Sequence, residues 1–75
     1  MNIPQELIEA VQAEIDRGIK KWGETDRTPD ILLSAATEEL GEVAHAHNHS
    51  EGFAKMRQEI AECIGVLVRL YNMVE

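Results

Sequence analysis

Seventy-five residues with fourteen acidic against seven basic side chains and a formal net charge of −7 describe one small, strongly acidic domain. That balance leaves no basic stripe to follow a phosphate backbone, which excludes a binder of polymeric nucleic acid. No apolar run reaches the length that spans a bilayer, and no signal-peptide pattern opens the sequence, so a cytoplasmic protein without a membrane role is expected.

Cys63 is the single cysteine, so no intrachain disulfide can staple the fold. It stands in an apolar stripe and reads as a small buried hydrophobe rather than a reactive thiol. A core this small is expected to be completed by homo-oligomerisation.

The first apolar series is Leu7, Ile8, Val11, Ile15, Ile19 and Trp22. Its 3.6-residue period predicts a helix over 4–21. Pro4 suits the first turn, and Gly18 weakens the last part without ending it. Residues 22–27 are polar and interrupted by glycine, and read as a loop. Thr28, Pro29 and Asp30 compose a helix start: an N-cap hydroxyl, a first-turn proline and an acid favoured by the helix dipole. The second helix is predicted over 29–48. Asn48, Ser50 and Gly52 mark a short turn. The third helix, over 52–74, carries the stripe Phe53, Met56, Ile60, Cys63, Leu67, Leu70 and Val74. With no β signal, internal repeat or linker, the fold class is all-α, a three-helix bundle.

Two carboxylate pairs break the usual division of a helix into apolar and charged sides. Glu39/Glu42 and Glu59/Glu62 stand at i,i+3 spacing, where residues share a face. The same faces carry Leu32, Ala35, Val43 and Ala46, and then Val66, Leu70 and Met73. Ionised carboxylates beside a core are costly unless paired or bound to metal. The short turn makes helices two and three antiparallel neighbours, and both pairs stand at similar distances from it, so they can face one another. Four oxygen donors on two helices suit a hard cation, Mg²⁺ or alternatively Mn²⁺. A lone ExxE reads better as a solvated face; two pairs mirrored about one turn favour the metal.

Other chemistries fit parts of the pattern. Glu42 and His45 form an ExxH, and a homodimer presenting two of them would supply the ligand set of a di-iron or di-manganese bundle. His45 and His49 are spaced to hold Zn²⁺ or Ni²⁺. The bland alternative for His45, His47 and His49 is a solvated helix C-terminus, where the dipole favours protonated imidazole. A non-catalytic oligomerisation module with a structural metal is the third reading.

Glu39-Leu-Gly-Glu42, sixteen residues, and Glu59-Ile-Ala-Glu62 resemble the ExxE…ExxD signature of the all-α nucleoside triphosphate pyrophosphohydrolases. This is the MazG-like group, with its helical dUTPase and dCTPase types. The string from Glu38 to Ala44 looks like the group's first motif. Lys21-Trp22-Gly23-Glu24 is similar to a segment of phage-type members, and Thr28-Pro29 precedes the acidic motif as in the dCTPase-like branch. The resemblance covers about residues 20–70. It implies Mg²⁺-dependent cleavage of a nucleoside triphosphate between the α and β phosphates, in dimers or tetramers, with Glu39, Glu42, Glu59 and Glu62 at the metal-binding positions. Two positions depart from the pattern. Glu62 stands where the group has Asp, and Val66 where an aromatic is common.

Phosphoryl chemistry needs charge neutralisation, positioning and an activated water more than covalent machinery. Glu38 or Glu42 is the candidate general base, with an exposed position at the edge of the polar face as the alternative for Glu38. Lys55 and Arg69 flank the third-helix carboxylates and are candidate phosphate contacts. The alternatives are an ion pair of Lys55 with Glu59 or Glu51, and a structural or interface role for Arg69. Trp22 is a candidate for stacking on the base, or else a core residue. Lys21 and Arg27 are further phosphate candidates. Tyr71 and Asn72 are candidates for base recognition across a dimer interface, with surface or packing roles as the alternative.

Overall fold

The computed structural model describes residues 1–23 and 28–74. Three helices follow in chain order: α1 (Gln5–Trp22), α2 (Pro29–Asn48) and α3 (Phe53–Met73). Their ends fall within one residue of the expected ones, because local chemistry sets them. The Pro4 carbonyl accepts from the amides of Leu7 and Ile8 at 3.1 and 3.2 Å. Gly23, at φ 83°, turns the chain out of α1 while its N–H still reaches the Ile19 carbonyl at 2.7 Å. Thr28 Oγ1 accepts from the Ile31 amide at 3.3 Å, the N-cap expected from Thr-Pro-Asp. After α2, Glu51 N–H donates to Ala46 O at 3.0 Å and Ser50 N–H to His47 O at 3.2 Å. That pair is a Schellman closure, with Ser50 at φ 51° where glycine is commoner.

Helix α3 is the middle of the molecule. It packs against α2 on one side and α1 on the other, while α1 and α2 nowhere approach within 8 Å, Cα to Cα, among the described residues. An open cleft therefore runs between α1 and α2, floored by α3. Close packing against both neighbours demands small side chains. A Cβ at Gly65 would lie 3.2 Å from Glu14 Cβ and 3.7 Å from Val11 O, so this glycine is where α1 crosses α3. One turn earlier, Ala61 is buried in the same seam.

The core consists of Val11, Leu32, Ala36, Ala46, Ala61 and Cys63. Cys63 is buried as expected, its Sγ 3.8 Å from the Ala36 carbonyl, and burial pushes its thiol pKa up, away from reactivity. The apolar stripes need correction. In α1, Ile8 and Trp22 are exposed; in α3, Phe53 (84% exposed) and Leu67 are too, as is Val74 just past its end. The buried positions of α3 are Glu59, Ala61, Cys63 and Gly65. The reason is geometric. A helix clasped on two sides buries two narrow faces of small residues, which leaves Ile60, Ile64, Val66 and Leu70 half-buried and Phe53 and Leu67 facing outward. Among the described residues, no helix is long and apolar enough to cross a membrane.

Candidate metal centre

Ala36 is buried against α3, and Glu39, one turn further along α2, carries the same face towards it. From α3, Glu59 and Glu62 meet it. One carboxylate oxygen from each of Glu39, Glu59 and Glu62 lies within 4.8 Å of the others. Glu59 is the most enclosed of the three, at 6% exposure.

The fourth expected member does not join them. Glu42 is exposed and lies outside the converging oxygens, although its charge helps raise the pKa of Glu39. Glu39 stands one turn from the buried Ala36 and points at α3, whereas Glu42 lies at the exposed edge of the same face.

Charge repulsion within the trio is managed by two cations and by the raised pKa of Glu62. Lys55 Nζ lies 2.9 Å from Glu59 Oε1, and this bond holds the Glu59 carboxyl below its ordinary pKa. Burial raises Glu62 to about 7, reinforced by its hydrogen bond with Glu59 and by the charges of Glu59, Glu14 and Glu39. Burial also raises Glu39, with the charges of Glu59 and Glu42 adding to it.

Helix α1 supplies the second cation and one more acid, neither of which was anticipated. Glu14 Oε2 accepts from Arg17 Nη2 at 2.6 Å and Nε at 3.0 Å, and Glu14 Oε1 accepts from Gln58 Nε2 at 2.9 Å. Arg17 Nη2 also reaches Glu62 Oε1 at 3.2 Å. A signal for Glu14 was present. It sits between Val11 and Ile15 in an apolar stripe, the same criterion that singled out the acids of α2 and α3.

Glu14, Arg17, Glu39 and Glu62 line the cleft between α1 and α2, a space of about 440 Å³. Trp22 and Arg69 line it two turns further along α1 and α3, and Glu38, Lys21 and Val66 line it as well. Trp22 is 47% exposed, with the Lys21 ammonium 4.9 Å from its ring centroid. Arg69 is used structurally: Nη2 donates to Gly23 O at 3.2 Å, and a Cβ at Gly18 would fall 2.8 Å from Nη1. Lys55 is outside the cleft lining and takes the ion-pair alternative. Tyr71 is exposed, and Asn72 Nδ2 donates to the Val68 carbonyl at 2.9 Å. Glu24 and Arg27 lie outside the described residues.

The histidines lead elsewhere. His45 Nε2 sits 3.3 Å from Glu51, and its ring stacks on His49 at 4.0 Å between centroids. Among the described residues, no histidine joins the carboxylate trio, so the ExxH ligand set is not assembled within the chain.

A pH dependence follows from Glu62. Its folded-state pKa of about 7 stands above its ordinary 4.5, so the folded chain holds an extra proton between those values. This group's contribution to stability therefore falls as pH rises from about 4.5 to about 7 and then levels off. Thermal melts without added metal are expected to show a higher midpoint near pH 5 than near pH 8. A metal-free midpoint that rises across that interval would contradict the protonated Glu62.

Comparison with known proteins places the chain beside one curated relative. It is similar to the uncharacterized protein YpjD of Bacillus subtilis (strain 168), 35% identical over 74 aligned residues that cover 87% of this chain and 67% of YpjD. No protein-family model matches the chain. No solved structure matches it either.

Proposed function

This chain belongs to the family of Bacillus subtilis YpjD, and we propose that it is a Mg²⁺-dependent nucleoside triphosphate pyrophosphohydrolase. The reaction takes a nucleoside or deoxynucleoside triphosphate and water to the monophosphate and pyrophosphate. The relative is uncharacterized and lends no activity to this proposal. The observation that carries it is the convergence of Glu39, Glu59 and Glu62 beside a cleft lined by cations and Trp22. The ExxE spacing and its resemblance to the MazG-like group then name the reaction.

The donor set fits the ion. All three ligands are carboxylate oxygens, as Mg²⁺ or Mn²⁺ prefers. Adjacent ligands of octahedral Mg²⁺ stand about 3 Å apart, so oxygens already within 4.8 Å need only small side-chain rotations to reach that spacing. Bound Mg²⁺ supplies charge neutralisation and polarisation at the triphosphate. Lys55 keeps Glu59 ionised and ready to ligate. Glu42, exposed beside Glu39, completes the set by side-chain rotation. Glu38 lines the cleft and is the proposed acceptor of the proton lost by the attacking water. Trp22 offers a ring face to the base from the same cleft.

A homodimer or homotetramer belongs to this proposal. The chain exposes 5782 Å². A compact monomer of its 8.4 kDa is expected to expose about 4,600 Å². The excess, roughly 1,200 Å², exceeds the ~800 Å² that each partner buries in a standard interface.

The test is an assay of pyrophosphate release from a panel of standard and damaged nucleoside triphosphates with Mg²⁺ or Mn²⁺, on protein whose mass is measured by light scattering. Metal-dependent release from at least one nucleotide by a dimer or tetramer is expected. A folded oligomer that releases none across the panel overturns the activity.

A further inference from the structure

Two cations touch the carboxylate centre, and they differ in what else they face. Lys55 sits on Glu59 and takes no part in lining the cleft. Arg17 both touches the trio, through Glu62, and lines the cleft. Its side chain is 61% exposed, yet it binds two carboxylates that are only 13% and 22% exposed. The two bonds are unequal. Glu14 holds the guanidinium through both Nε and Nη2, at 3.0 and 2.6 Å, whereas Glu62 holds Nη2 alone, at 3.2 Å.

Glu62 is also one of the three converging acids, so a divalent cation taken up there competes with Arg17 for the same carboxylate. Once that competition is lost, Glu14 still anchors the guanidinium at the edge of the cleft. A polyphosphate entering this cleft meets repulsion from Glu14, Glu38, Glu39 and Glu62, and of the cations that line it, Arg17, Lys21 and Arg69, Arg17 is the one in contact with the trio. A guanidinium suits that place, because its planar fork matches two phosphoryl oxygens at once.

We infer that Arg17 is an exchangeable counter-ion: it neutralises Glu62 in the metal-free centre and turns to the phosphoryl oxygens of a metal-chelated polyphosphate in the loaded one. The identity of the anion rests on the pyrophosphohydrolase proposal above; the exchange itself rests on the shared hold on Glu62.

Calorimetric titration of the intact protein tests it, first with Mg²⁺ alone and then with inorganic pyrophosphate at saturating Mg²⁺. Arg17→Gln is expected to bind Mg²⁺ alone at least as tightly as the wild type, because a competitor is gone. Its affinity for pyrophosphate in the metal-loaded state is expected to fall about tenfold or more, the worth of one charge-assisted hydrogen-bonded pair. Arg17→Lys is expected to recover part of that loss, having the charge without the fork. Weakened binding of Mg²⁺ and pyrophosphate together, with reduced helical circular dichroism, would make Arg17 a structural clamp and overturn the exchange. So would unchanged pyrophosphate affinity in a folded Arg17→Gln, or no pyrophosphate binding by the loaded wild type. Failure of the hydrolytic proposal reads differently: no nucleotide is turned over, while pyrophosphate binding that depends on Arg17 persists.

Discussion

Glu59→Ala is expected to lower metal-dependent pyrophosphate release by about 10²- to 10³-fold, the scale on which a single charge-stabilising group at a reacting centre counts. Glu59 is the most enclosed of the converging acids, and Lys55 holds it ionised. Its removal takes away the ligand best prepared for a cation. The fold should survive the change. Lys55 is solvent-exposed, so losing its partner leaves no buried charge behind. Glu62 loses a neighbour whose hydrogen bond and charge both push its pKa up. Glu39→Ala is expected to match this loss. Glu42→Ala, whose carboxylate stands outside the trio, is expected to cost only about tenfold, a factor set by a ligand recruited late rather than preorganised. Steady-state kinetics with circular dichroism on the three variants decides the matter. Wild-type rates in a folded Glu59→Ala would remove the metal centre from the mechanism. Equal losses at Glu42 and Glu59 would mean that the loaded centre gathers four acids on equal terms.

The largest expected effect on stability is at Gly65. Glycine inside a helix costs about 1 kcal/mol relative to alanine, so its presence in the middle of α3 asks for a packing reason. The reason is the crossing with α1: a Cβ would stand 3.2 Å from Glu14 Cβ, tighter than ordinary contact. Gly65→Ala therefore sets a helix-propensity gain against a shift of a few tenths of an ångström, and is expected to be nearly neutral. Gly65→Leu cannot be absorbed that way. Overpacking of this kind costs roughly 1–3 kcal/mol or more. Against a total of about 4–11 kcal/mol for a chain of this size, that is a large share. Forcing α1 off α3 also carries Glu14 and Arg17 away from Glu62, so the anion site is expected to weaken along with the fold. Urea denaturation of both variants gives the comparison. A Gly65→Leu chain as stable as the wild type would mean that α1 does not cross α3 at this point.

Much of this organisation is legible in the sequence because it is local. The 3.6-residue apolar period places all three helices, and Thr28-Pro29-Asp30 places the start of α2 through a hydroxyl, a ring and a charge within three residues. An acid within an apolar stripe is also a local signal, and it picked out Glu39, Glu42, Glu59 and Glu62, three of which converge. Applied to α1, the same test would have found Glu14.

What local pattern cannot supply is rotation about a helix axis and the angle at which helices cross. Those depend on how close two backbones come, and the depth of approach is set by small residues such as Gly65 and Ala61 acting on partners far away in the chain. Glu42 turns outward, Arg69 goes to the α1 terminus, and Phe53 and Leu67 face away from the core for that reason. The sequence by itself determined the helices, their caps and the acids placed among apolar residues, since each is decided within one or two turns of chain. Only the tertiary structure decided which three acids meet and that Arg17 joins them, because those choices belong to the packing of α1 and α2 on opposite sides of α3.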